Sequence, residues 1–105
     1  MADVSASYQK FVSENWKGPD TIEFCAIGLG GEVGEVLNEI KKEMRDGSIR
    51  IDQVRDELGD TLHYLTKLAY KYGFSLEEIM VANVAKLMRR QETEKVAVSV
   101  CGTES

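Results

Sequence analysis

Glu32 and Glu35, and further along Glu57 and Asp60, form two acidic pairs with the same i, i+3 spacing, separated by 21 residues. On a helix that spacing puts both side chains of a pair on one face. At ~100° per residue, Glu32, Glu35 and Glu39 fall beside the apolar stripe Ile22, Leu29, Val33, Val36, Leu37, Ile40 and Met44, not opposite it. Glu57 and Asp60 sit likewise at the edge of a second stripe, Val54, Leu58, Leu62, Leu65, Leu68, Ala69 and Tyr72. If the two helices pack antiparallel through these stripes, four carboxylates share one margin of the interface. Like charges ~4 Å apart repel by roughly 4 kcal/mol per pair at an effective dielectric of 20. A divalent cation removes that penalty, and an oxygen-only donor set suits Mg²⁺ or Mn²⁺. The competing reading is that acidic residues on helices are solvated surface charges, their ordinary fate. Two pairs at the border of two apolar stripes favour the metal, whereas Glu39, one turn beyond Glu35 on the same face, is either a supporting ligand or a plain surface charge, the latter being favoured.

The elements that must carry these pairs are helices. With one proline in 105 residues and no sustained alternation before residue 96, little room is left for a sheet, and the fold class is all-α. A first helix is expected over about 6–16, closed by Gly18-Pro19. Asp20 and Glu23 have capping-box spacing and open a second helix running to about Met44, ended by Asp46-Gly47-Ser48. A third begins near Asp52, a capping candidate, and stops at Gly73; Ser75 and Glu78 then box a fourth that reaches about Arg90. Short connections make neighbours antiparallel, as in a four-helix bundle. Gly28, Gly31, Gly34 and Gly59 lie inside these helices at a cost of ~1 kcal/mol each, which points to close helix approach or to space for a ligand. Residues 1–91 thus form one domain. Residues 92–105, with strand-like alternation at Val96–Val100 but no partner strand, are expected to be disordered or an arm on another subunit.

The net charge of −5, from 18 acidic and 13 basic residues without a basic tract, argues against nucleic-acid binding. The four paired carboxylates account for most of that excess. A single histidine, His63, and two isolated cysteines, Cys25 and Cys101, exclude a Cys/His zinc site and a disulfide framework, which fits a reducing cytoplasm. The chain begins without a basic-then-apolar leader and has no apolar run long enough to span a bilayer, so neither secretion nor membrane insertion is expected.

The strings GLGGEVGEVLNEIKKE and DELGDTLHYLTKLAYKYGFSLEEIMVANVAKLMRR resemble the MazG-like nucleoside triphosphate pyrophosphohydrolases of the all-α pyrophosphohydrolase superfamily. The family signature, ExxE followed by ExxD, stands here as Glu32-Val33-Gly34-Glu35 and Glu57-Leu58-Gly59-Asp60, and the likeness covers about residues 8–90. The resemblance implies a four-helix MazG fold in a homo-oligomer. It implies cleavage between the α and β phosphates of a nucleoside triphosphate, giving a nucleoside monophosphate and pyrophosphate. By it, Glu32, Glu35, Glu57 and Asp60 ligate Mg²⁺, with Mn²⁺ as substitute, and Glu35 and Glu57 serve catalysis. Asn83, Lys86 and Arg90, in the terminal NxxKxxxR pattern, hold phosphate oxygens, with Arg89 able to replace Arg90. Trp16 is the leading base-stacking residue, followed by Tyr64 and Tyr8. His63 stands where many relatives carry tryptophan or another bulky apolar residue, and reads as structural. By analogy deoxynucleotides are expected to be preferred over ribonucleotides, in a role of cleaning the nucleotide pool.

Competing classes fare worse. A ferritin-like di-metal protein needs two ExxH motifs, and Asp60-Thr61-Leu62-His63 is the nearest approach to one. A non-catalytic helical interaction module leaves the placement of the carboxylates unexplained, whereas a non-catalytic metal-binding helical bundle stays an alternative. Phosphoribosyl-ATP pyrophosphohydrolase is the alternative within the superfamily, and GLGGEVGEV favours the MazG-like branch. Gly28-Leu29-Gly30 is not completed to GxGxxG, because position 33 is valine, and GxxxxGK is absent. Four helices carrying a metal cluster leave an open apolar side, so a homodimer or homotetramer is expected.

Overall fold

The computed structural model describes the backbone of residues 4–101 and the side chains of residues 4–96. Four helices account for it: α1 Val4–Glu14, α2 Ile22–Asp46, α3 Ile51–Lys71 and α4 Leu76–Cys101. No strand occurs among the described residues, so the all-α expectation holds. Among them, too, no helix is long and apolar enough to cross a membrane.

Local chemistry sets the boundaries. α2 is capped by Thr21, whose hydroxyl accepts the Phe24 N–H at 3.1 Å, and not by Asp20. The Asp20 carboxylate is instead drawn to Lys67 and Lys71 of α3, each at 3.3 Å, so the neighbouring threonine takes the cap. Gly47, at φ 71°, ends α2 by donating its N–H to the Glu43 carbonyl at 2.8 Å. Asp52 does not cap α3 either. The Arg50 N–H at that helix start is taken by the Glu43 carboxylate at 2.7 Å, and Asp52 pairs with Arg55 inside the first turn. Gly73, at φ 82°, closes α3 as expected. The Ser75–Glu78 box forms in both directions, Ser75 N–H to Glu78 at 2.8 Å and Glu78 N–H to Ser75 Oγ at 3.0 Å. α4 then continues past Arg90 to Cys101, winding the Val96–Val100 alternation into the helix; residues 102–105 lie outside the described residues.

α2 and α3 pack along their length as an antiparallel hairpin. Residues meet in reverse order: Glu39 with Arg50, Glu32 with Glu57 and Asp60, Gly28 with Tyr64, Asp20 with Lys67 and Lys71. At Gly28 the Tyr64 ring lies against the α2 backbone, so closely that an added methyl group would overlap it. α1 lies across α3 and touches α4, where the Leu76 N–H is held by Gln9 at 2.8 Å.

The four helices do not close into one compact bundle within the chain. The radius of gyration is 18.5 Å, against about 13 Å for a compact domain of this length. Every residue of α4 from Glu77 to Val96 is exposed. Among the described residues the buried apolar core is small, made of Val12, Cys25, Ala69 and Leu76. The stripe read on α2 is only partly used, since Val33, Leu37, Ile40 and Met44 remain exposed, as do Leu58 and Leu62 on α3. An open apolar side is therefore a property of the chain.

Candidate functional site

The α2–α3 hairpin register brings Glu32, Glu57 and Asp60 together, with one carboxylate oxygen from each lying within 4.8 Å of the others. Glu32 and Glu57 are half-buried and Asp60 is exposed. Burial pushes the Glu32 carboxyl above its ordinary range, helped by the charges of Asp60 and Glu35 and opposed by His63. Glu57 is raised by burial first, then by the charges of Asp60, Glu35, Glu32 and Glu39. Both shifts combine the same two causes, burial at the rim of an apolar interface first and the neighbouring anions second. Glu35 is exposed and stands outside the 4.8 Å group, although its charge reaches both Glu32 and Glu57.

Three all-oxygen donors at such spacing fit a hard divalent cation, and the raised carboxyls are those that a cation would stabilise. Tyr8 of α1 is half-buried near them, its phenol pushed up by burial and by the charge of Asp60.

One turn along α3 from Asp60 begins an aromatic platform. The Trp16 ring stacks on His63 with centroids 5.0 Å apart and planes 18° from parallel. Tyr64 meets both edge-on, 5.4 Å from Trp16 and 5.7 Å from His63, and Phe24 stands 6.4 Å from Tyr64. The Trp16 indole N–H is held by the Pro19 carbonyl at 3.0 Å, and Lys67 Nζ lies 5.5 Å from the ring centre. Trp16 and Tyr64 are thus gathered beside the carboxylates. His63, read from sequence as structural, sits between the two groups, stacked on Trp16 while its charge reaches Glu32.

Asn83, Lys86 and Arg90 are not brought to the carboxylates within this chain. Asn83 and Lys86 line a groove with Phe74, Glu78, Ile79 and Ala82. Lys86 also borders a second one with Arg89, Arg90 and Thr93, and neither groove includes a residue of α2 or α3.

Two ion-pair groups escaped the sequence reading. Glu39, taken for a surface charge, is 7% exposed and accepts from Arg50 Nε at 2.6 Å, with Lys42 Nζ at 3.5 Å. Arg50, and to a lesser degree Lys42, hold its carboxyl below the usual range. Lys67 is 4% exposed, an unusual depth for a lysine, and is held by Asp20. The signal for Lys67 was present: it continues the face Asp60, His63, Tyr64 at helical spacing.

Comparison with known proteins gives a consistent picture. The family model described as MazG nucleotide pyrophosphohydrolase domain matches residues 21–94. The Gene 37 protein of Mycobacterium phage L5 is 35% identical over 81 residues, covering 70% of this chain and 71% of the phage protein. No solved structure matches the chain.

Proposed function

The chain belongs to the MazG nucleotide pyrophosphohydrolase domain family, and on that premise we propose that it is a Mg²⁺-dependent nucleoside triphosphate pyrophosphohydrolase. It cleaves the α–β phosphate bond of nucleoside triphosphates, deoxynucleotides in preference to ribonucleotides, giving a monophosphate and pyrophosphate, and works on the free cytoplasmic nucleotide pool. The observation that carries this reading is the convergence of Glu32, Glu57 and Asp60 within 4.8 Å on two antiparallel helices.

In this reading Glu32, Glu57 and Asp60 hold Mg²⁺, with Mn²⁺ as substitute, and Glu35 completes the set from its neighbouring turn. Bound there, the cation supplies positive charge against the triphosphate and lowers the pKa of the attacking water. Glu35 and Glu57 orient the attacking water and accept its proton, and for Glu57 the raised carboxyl suits that task. Trp16 offers a flat ring to the base, Tyr64 flanks it edge-on, and Tyr8 of α1 stands near Asp60 at the border of the site.

Asn83, Lys86 and Arg90 bind phosphate oxygens, and a second copy of the chain supplies them. The grooves they line in one chain include no residue of α2 or α3, which supports this, as do the exposed Val33, Leu37, Ile40 and Met44 of α2 and Val84, Leu87 and Met88 of α4. The assembly is a homodimer or homotetramer, residues 1–91 form the catalytic domain, and the end of α4 is an intersubunit arm.

The test is pyrophosphate release from the eight common ribo- and deoxyribonucleoside triphosphates with Mg²⁺, repeated with Glu57→Gln and Asp60→Asn. Activity on at least one substrate that both variants abolish is the expected result, and inactivity on all eight would overturn the reading. Light scattering tests the assembly, which a fully active monomer would refute.

A further inference from the structure

The loop that joins α1 to α2 carries Trp16, the only tryptophan of the chain, yet it contains Gly18 and has no regular structure of its own between Glu14 and Ile22. A ring on such a loop is free to swing unless something fixes it. The fixing contacts come from one face of α3. Lys67, buried to 4% exposure, reaches Asp20 at 3.3 Å, and Lys71, one turn further, reaches the same Asp20 oxygen at 3.3 Å. Asp20 follows Pro19, whose carbonyl receives the Trp16 indole N–H at 3.0 Å. The Lys67 ammonium also stands over two aromatic faces, 5.5 Å from the Trp16 ring centre and 5.1 Å from that of Tyr70. Two cations on one carboxylate therefore close a short circuit: α3 to Asp20, Asp20 to Pro19, Pro19 to Trp16, and Trp16 back to His63 and Tyr64 of α3. The two lysines hold the Asp20 carboxyl below its usual range against the opposing effect of burial.

We propose that Asp20 and Lys67 are positioning residues that lock the Trp16 loop onto α3, so that the ring is set on its His63 and Tyr64 partners before a nucleotide arrives. This rests on the reading of Trp16 as the base platform. Ordering the loop in advance spares the substrate the entropy of fixing it, so the lock acts on binding and not on the chemical step. A lysine buried this deeply has a specific partner or neutralises, and here its partner is the one residue that ties the loop down.

A single tryptophan makes the lock observable without substrate. In the full-length protein, Asp20→Asn and Lys67→Met should each raise the accessibility of Trp16 to acrylamide quenching and weaken its near-UV circular dichroism, while Lys67→Arg should restore both signals. KM for the preferred triphosphate should rise about five-fold or more, the low end of what losing a base–aromatic stack costs, with kcat within about two-fold of the parent. Mg²⁺ affinity, measured by calorimetry with the metal alone, should not change. Asp20 is largely exposed, so Asp20→Asn remains informative if Lys67→Met fails to fold. Unchanged quenching and dichroism in folded Asp20→Asn would overturn the lock. Increased quenching with unchanged KM would establish the lock and refute Trp16 as the base platform.

Discussion

Gly28 and Gly30 lie two residues apart on α2, and the same substitution at each should act with opposite sign. Replacing an interior helical glycine by alanine gains ~1 kcal/mol from backbone entropy and helix propensity. At Gly30 nothing lies within 4 Å of the added methyl, so that gain is expressed in full. At Gly28 the methyl meets the Tyr64 ring, with Cζ at 2.8 Å and two further ring atoms closer still. The ring has little room to retreat, because its edges already contact Trp16 at 5.4 Å and His63 at 5.7 Å between centroids. Overpacking of this kind costs ~1–3 kcal/mol, which cancels or exceeds the propensity gain. The two variants should therefore differ by ~1–3 kcal/mol, with Gly30→Ala above the parent and Gly28→Ala at or below it. For a domain of this size 1 kcal/mol corresponds to at least about 4 °C in Tm. Thermal and urea unfolding followed by far-UV circular dichroism, at one protein concentration for all variants, measures the difference. Gly28→Ala as stable as Gly30→Ala would refute the α2–α3 register, since that register alone puts Tyr64 over Gly28.

Three further expected outcomes turn on the carboxylate cluster and on the ion pairs of Asp20 and Glu39. Without metal, Glu57→Gln should raise Tm, because it removes one charge from a crowded set, and it should abolish the additional rise that Mg²⁺ gives the parent protein. The pH dependence follows from the direction of the shifts. Glu32 and Glu57 titrate above their unfolded values, so their contribution to the metal-free fold is full below the ordinary glutamate pKa and is lost as pH rises through the raised values. The Mg²⁺-induced rise in Tm should therefore grow over that window, and a flat profile would contradict the crowding. Asp20 and Glu39 are lowered, so their contribution stands above the unfolded pKa and is lost as pH falls through the depressed values. Finally, Arg50→Met strands the buried Glu39 carboxylate beside the charge of Glu57 and should lower Tm; adding Glu39→Gln to it should recover much of the loss, and no recovery would sink the pairing.

Much of the site was legible because its determinants are local. An i, i+3 pair needs only a helix to share a face, so the positions of Glu32, Glu57 and Asp60 followed once two helices were paired in antiparallel order. The Ser75–Glu78 box and the Gly73 stop depend on residues within one turn of each other, and both are present. Asp20 and Glu39 were misread for the opposite reason. Each has a local role open to it, as a cap or a solvated charge, that a partner on α3 or at its start overrides: Lys67 and Lys71 for Asp20, Arg50 for Glu39. Those partners are 11 residues away in sequence for Glu39 and further for Asp20. Periodicity does not reveal which of several charges on a face will find such a partner, since that depends on the angle at which the helices cross.

α4 shows a different limit. Its apolar residues, Met80, Val81, Val84, Leu87 and Met88 among them, are exposed over a wide arc, although their number would suit a buried helix. A hydrophobic pattern reports that a face needs cover but not which chain supplies it. The same holds for Val33, Leu37, Ile40 and Met44 on the outer side of α2, where Gly30, Gly31 and Gly34 leave open space along the backbone. A helix that offers both glycines and uncovered apolar side chains admits another helix at short range. In one chain the anionic cluster and the cationic Lys86, Arg89 and Arg90 stand on separate elements, with neither near the other to neutralise it. The proposed second copy, seated on the exposed stripes, would account for both the thin core and the divided site without refolding either helix.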